Sequence, residues 1–155
     1  MELDQVLEQL QGDVIEKIYM SEDMLIIQTN KRIASFNVEG DCCSYSVFYD
    51  FIGVKGLLGK TILSIEPVAL EASDITEHTS EYGYDVYKDK KGEDENIEVY
   101  GYQINYLDPI YGERTAVFSF RNYSNGYYGG WMNGNIISKL PEKLPPLIKD
   151  DVFQT

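Results

Sequence analysis

The sequence predicts an α+β domain: mainly antiparallel β-sheet, roughly seven or eight strands, with an N-terminal helix packed on one face. Three observations carry that prediction. A single stripe of helical periodicity opens the chain, a series of short β-rich runs separated by polar turns follows it, and neither internal repeats nor βαβ alternation occur. At 155 residues, 43% hydrophobic and 25% charged, the chain has the length and composition of one globular unit with a core of its own. Residues 1–138 are expected to form that unit, and 139–155 a proline-rich C-terminal strap.

Leu3, Val6, Leu7 and Leu10 recur at i, i+3, i+4 and i+7, which is one face of a helix, and the early acids Glu2 and Asp4 suit its N-terminal dipole. Gly12 ends it. Val14–Tyr19, Met24–Thr29 and Arg32–Val38 then read as strands of a meander, because only Ser21-Glu22-Asp23 and Asn30-Lys31 separate the runs. Glu39–Ser44 is a small-residue corner, Tyr45–Tyr49 a further strand, and Phe51–Lys60 a helical turn with glycines at its ends. Thr61–Ala69 is again β-like. From 71 to 96 acids and lysines dominate, and this acidic excursion has little to bury in return for its ordering. Ile97–Leu107 and Thr115–Tyr123 are long strands joined by a turn that starts at Asp108-Pro109. Asn125-Gly126 before Tyr127-Tyr128-Gly129-Gly130-Trp131 signals a hairpin. The tail holds Pro141, Pro145 and Pro146, so it is expected to run extended and dock through Leu140, Leu144, Leu147 and Ile148.

The charge narrows the choice of partner. The net charge is −13, and residues 71–98 alone carry 10 acids against 3 bases. Phosphate backbones and anionic membrane surfaces require a positive surface, so no direct nucleic-acid and no membrane binding is expected. No apolar run approaches a membrane span, and the acidic start Met1-Glu2-Leu3-Asp4 lacks the features of a secretory signal. Two adjacent cysteines without an export signal suit a reducing, cytoplasmic setting. What such a surface attracts is a basic protein.

Three residue groups are candidates for chemistry or recognition. Cys42-Cys43 could serve a metal- or thiol-dependent enzyme, with His78 as the one available histidine. Glu39 and Asp41 raise a thiol pKa, however, and adjacent cysteines lack the usual zinc spacing, so small residues packed at a corner is the plainer reading. Ser124–Trp131 could bind a nucleotide or second messenger, with Asn125, Tyr127, Tyr128 and Trp131 around a ring and Arg121 on a phosphate. It could equally be a hairpin whose aromatics fill the core. The third group is tyrosine-rich and acidic. Tyr82, Tyr84 and Tyr87 lie in the excursion with Glu93, Asp94 and Glu95, and Glu98, Tyr100 and Tyr102 continue it into the next strand. A half-buried tyrosine face beside carboxylates suits recognition of a protein surface. No catalytic constellation and no cofactor fingerprint is present, so no enzyme, metal or cofactor is expected.

Gly40-Asp41-Cys42-Cys43-Ser44, Leu57-Leu58-Gly59-Lys60-Thr61-Ile62 and Arg121–Gly130 resemble a domain-of-unknown-function family of bacteriophage and bacterial genomes, over roughly residues 13–138. That resemblance implies a small cytoplasmic protein carried by a phage or mobile element, and it brings no catalytic roles. Together with the charge it suggests an acidic inhibitor of a basic, nucleic-acid-handling host protein, of anti-CRISPR or other anti-defence type.

Overall fold

The computed structural model of the chain describes residues 1–70, 96–124 and 129–153. The opening stripe forms helix α1 (Leu3–Gln9), with Glu2 and Gln5 as a reciprocal capping box. The meander follows as β1 (Ile15–Met20), β2 (Met24–Thr29) and β3 (Ile33–Gly40), with β1 and β3 both paired to β2. Next come β4 (Tyr45–Ile52), the helical turn α2 (Val54–Leu57) and β5 (Thr61–Ala69). The two long strands are β6 (Asn96–Asp108) and β7 (Gly112–Ser124), and β8 (Gly130–Ile137) precedes two short strands, β9 (Leu147–Ile148) and β10 (Val152–Phe153). Among the described residues, eight strands of six residues or more, and two of two residues, thus match the expected α+β, mainly antiparallel architecture.

These strands divide into two five-stranded sheets, in the orders β8-β3-β2-β1-β9 and β10-β4-β7-β6-β5. Alternation explains why both sheets bury one face. Ala34 and Phe36 of β3 turn inward with Met132 of β8, and Ile104, Phe118 and Phe120 do so from β6 and β7. All join one continuous core, to which α1 contributes Val6, Leu7 and Leu10. Helix α1 packs against β5 of one sheet and β8 of the other, and so spans from sheet to sheet. Burying these aliphatic and aromatic side chains stabilises each by about 1.5–3 kcal/mol relative to exposure.

Where β1 and β5 begin, the sheets also touch through backbone. The Gly12 N–H donates to the Ile62 carbonyl at 2.7 Å and the Ile62 N–H to the Asp13 carbonyl at 2.8 Å. Asp13, 1% exposed, is held there by the Thr29 hydroxyl at 2.8 Å and by Arg32 Nε at 2.8 Å. A buried carboxylate is tolerated because these donors replace water.

The Asn125-Gly126 signal does not mark a β7–β8 hairpin. Both edges of β7 are taken, by β4 and β6, while β8 pairs with β3 in the other sheet. Strands β7 and β8 therefore belong to different sheets, which two turn residues viewed alone do not reveal; Asn125 and Gly126 themselves lie outside the described residues. The tail also differs from expectation. Leu144 and Leu147 are exposed, and Pro145 and Ile148 are buried. Strand β9 pairs with β1 and β10 with β4, so the strap is tied to both sheets by ladder hydrogen bonds as well as apolar contact.

Gly134 faces Phe36 across the β3–β8 ladder. A Cβ there would lie 2.8 Å from the Phe36 ring and 3.0 Å from Leu3, inside van der Waals contact with both. Gly134→Ala is expected to destabilise the protein by about 1–3 kcal/mol through overpacking, read as a lowered urea midpoint. An unchanged midpoint would show that the ring has room to move.

Candidate functional site

The tyrosine face of β6 is real, and cross-strand pairing fixes where it points. Tyr100 sits opposite Phe120 and Tyr102 opposite Phe118, with ring centroids 4.9 and 5.5 Å apart and planes within 16° and 17°. Such offset stacks hold each phenol flat and rigid. Further along the same face, Tyr106 is 3% exposed and belongs to the core, whereas Tyr100 and Tyr102 remain half-buried. The face is inner where the sheets meet. It opens toward β8 to give a groove of about 440 Å³.

Tyr100, Tyr102 and Phe120 line the groove from one sheet, with Pro67 and Leu70 on the β5 side. Leu3 of α1 and Trp131 and Met132 of β8 line it opposite. Trp131 is 42% exposed, which places it at the mouth. Gly101 leaves room for neighbouring side chains: a Cβ there would lie 2.5 Å from the Leu70 side chain and 3.1 Å from that of Val68. A concave, mostly apolar cavity of this size with a few fixed polar groups is the usual form of a binding site.

The phenol hydroxyls supply polarity, and nearby carboxylates act on them. The Tyr100 hydroxyl donates to Glu98 and accepts from the Gly130 N–H at 3.4 Å. Burial first, and then the bond to Glu98, raise the Tyr100 pKa above its usual 10.0, and Asp41 adds to the rise. Burial likewise raises Tyr102, with Asp4 pushing the same way. Among the described residues lining the groove there is no lysine or arginine. No carboxylate lines it among those residues either; Glu98 acts on it through its bond with the Tyr100 hydroxyl, and aromatic faces beside such a charge favour a cation.

Stability should report these shifts. Raised phenol pKa values mean that the folded protein holds its protons to higher pH than the unfolded chain does. The stabilisation is complete below pH 10 and is lost as pH rises through the shifted values. Urea unfolding at pH 8 and above pH 10 is expected to show a smaller alkaline loss in a Tyr100→Phe, Tyr102→Phe variant than in the native chain. Equal losses would contradict the assignment.

Arg121 lies elsewhere. It projects from the opposite face of β7 and is 1% exposed. A β-bulge in β4, between Phe48 and Asp50, brings Tyr49 and Asp50 to that same side. Arg121 Nη1 donates to Ser119 Oγ at 2.7 Å, Ser119 in turn donates to Asp50, and the guanidinium lies 4.0 Å over the Tyr49 ring. Ile97, Val99 and Phe153 pack beside Tyr49. Arg121 and Asp50 line a cavity of about 250 Å³, separate from the groove that Trp131 lines. Arg121 and Trp131 are therefore not convergent, because the arginine's charge is engaged by Asp50 on the far side of the sheet.

Of the remaining sequence candidates, Cys42 and Cys43 are free and exposed at the corner after β3. Tyr82, Tyr84, Tyr87, Glu93, Asp94 and Glu95 fall outside the described residues, as do Asn125, Tyr127, Tyr128 and His78. Among the described residues no group of three His, Cys, Asp or Glu side chains could hold a metal ion, and no helix is long and apolar enough to cross a membrane. Sequence reasoning missed Leu3 and Met132 as groove residues, since only the folded chain brings the N-terminus beside β8. The Phe118–Phe120 floor was legible as alternation in β7.

The chain is similar to Uncharacterized protein L278 of Acanthamoeba polyphaga mimivirus, with 32% identity over 123 residues that cover 76% of this chain and 79% of the viral protein. No family model matches the chain, and no solved structure matches it.

Proposed function

We propose that this chain, which belongs to the same family as the mimivirus protein, is a non-enzymatic acidic binding protein that takes a basic segment of a partner into the groove between β6 and β8. The observation that carries this reading is the groove itself: Tyr100, Tyr102 and Trp131 line it, Glu98, Asp41 and Asp4 act on its phenols, and none of its described lining residues is a cation. An arginine or lysine side chain gains twice there, from the ring faces and from the carboxylates. The net charge of −13 adds long-range attraction and faster encounter with a cationic surface.

The partner class follows from the charge. Proteins that handle nucleic acids present extended basic surfaces, and an acidic, aromatic competitor occupies such a surface in place of phosphate and base. A relative encoded by a virus fits a role in a conflict between a host and a genetic parasite. The protein is accordingly read as an inhibitor of anti-defence type, working in the host cytoplasm. The chain's acidity is also why nucleic acid and membrane are not its ligands.

The test is an affinity pull-down from host extract, eluted with a salt gradient, using the native chain and a charge-reversed one. Replacing Glu93, Asp94, Glu95 and Glu98 by lysine should release basic partners at lower salt. If both chains retained the same proteins to the same salt concentration, the charge reading would be wrong.

A further inference from the structure

The corner between β3 and β4 is built to bring two thiols together. Gly40 keeps the corner tight, since a Cβ there would lie 2.5 Å from Ser44 Oγ and 2.8 Å from Asn122 Nδ2 and would displace those side chains. The Ser44 N–H and hydroxyl both donate to the Asp41 carbonyl, at 3.0 and 2.8 Å, which closes the turn on itself. The Asp41 N–H donates to Gly129 at 3.1 Å and Asn122 Nδ2 to Ser44 Oγ at 3.2 Å, which fasten the corner to its surroundings. Within this turn Cys43 has φ +71°, the left-handed conformation that residues with a Cβ rarely adopt. In extended backbone successive side chains point to opposite sides. Here the left-handed residue folds the second thiol back beside the first, and the sulfurs of Cys42 and Cys43 are 3.1 Å apart. Both are exposed.

We propose that Cys42 and Cys43 form a vicinal dithiol that a low-molecular-weight disulfide oxidises reversibly to an intramolecular disulfide. The thiolate of one cysteine attacks a sulfur of the oxidant, joining to it and expelling one small thiol. The thiolate of its neighbour then attacks the protein sulfur of that mixed disulfide and expels the second. In balance, the protein dithiol loses two protons and two electrons, and the oxidant becomes two thiols.

Geometry sets the character of the bond. Adjacent Cα atoms across a trans peptide are about 3.8 Å apart, below the 4.4–6.8 Å usual for disulfides. The ring is therefore strained, and strained, exposed disulfides are the readily reduced kind. The hydrogen bond that the Cys43 thiol donates to Cys42 and the negative charge a Cys42 thiolate would carry both raise the Cys43 pKa, so the pair gives up its second proton reluctantly. Because the strained bond is readily reduced, the dithiol is the resting form wherever small thiols are in excess. This assignment stands independently of the groove.

Intact-mass measurement tests it. The full chain treated with excess glutathione disulfide should lose the mass of two hydrogens, and excess reduced glutathione should restore the original mass. Cys42→Ser and Cys43→Ser should each accumulate a stable glutathione adduct, because the resolving thiol is gone. Glutathione adducts persisting on the native chain, cross-linked dimers in place of the mass loss, or a disulfide that excess reduced glutathione leaves intact would each overturn the proposal.

Discussion

Asp50→Ala is expected to cost about 3–5 kcal/mol of folding stability, the usual result of stripping one partner from a buried ion pair. Asp50 and Arg121 are 3% and 1% exposed, and their direct contact, Nη2 to Oδ2, is 3.9 Å. That distance is long for an ion pair, so much of the coupling runs through Ser119, which accepts from Arg121 and donates to Asp50. Removing the carboxylate takes the Asp50 acceptor from the serine hydroxyl and the Asp50 charge from beside the guanidinium inside the β4–β7 pair. Urea unfolding would show a large drop in midpoint. The double change Asp50→Leu, Arg121→Met should recover most of the loss, because two apolar side chains need no desolvated partner. A single-variant loss under about 1 kcal/mol would mean that the pair is structurally incidental.

The second large effect concerns binding. Truncating Tyr102 or Trp131 to alanine should each weaken capture of a basic partner by at least about ten-fold, as expected when an aromatic anchor is lost from the centre of an interface. Trp131 is exposed, so its loss leaves the core intact; Tyr102 stacks on Phe118, so circular dichroism and a thermal midpoint must confirm that Tyr102→Ala is folded. Comparable changes at Ile110 or Tyr111, exposed at the β6–β7 turn, should leave affinity alone. Loss of binding at the turn with none at the groove would move the site.

Much of this was legible in the residues. The stripe Leu3, Val6, Leu7 and Leu10, the meander runs, and the shared face of Tyr100, Tyr102, Ile104 and Tyr106 follow from periodicity, which depends only on local geometry. What periodicity cannot show is which strand lies beside which. The division into two sheets places β8 against β3, and this is why Trp131 meets Tyr100 across a groove and Arg121 lies on the opposite face of β7. Arg121 shows the limit best. In sequence, an arginine beside glycines and aromatics suggests a phosphate clamp; in the fold, a one-residue bulge in β4 delivers Asp50 to it. Nor does the sequence show that Cys43 is left-handed, since that conformation arises from the closure of the turn on Asp41.

Cationic side chains are expected to bind in the groove between β6 and β8. The most direct measurement is an NMR titration of the labelled chain with an arginine-rich peptide, followed at low and high salt. The account predicts that shift changes concentrate on Tyr100, Tyr102, Trp131 and Gly130, and that the affinity falls steeply as salt rises. Changes spread evenly over all acidic positions, or centred on residues away from the groove, would contradict it.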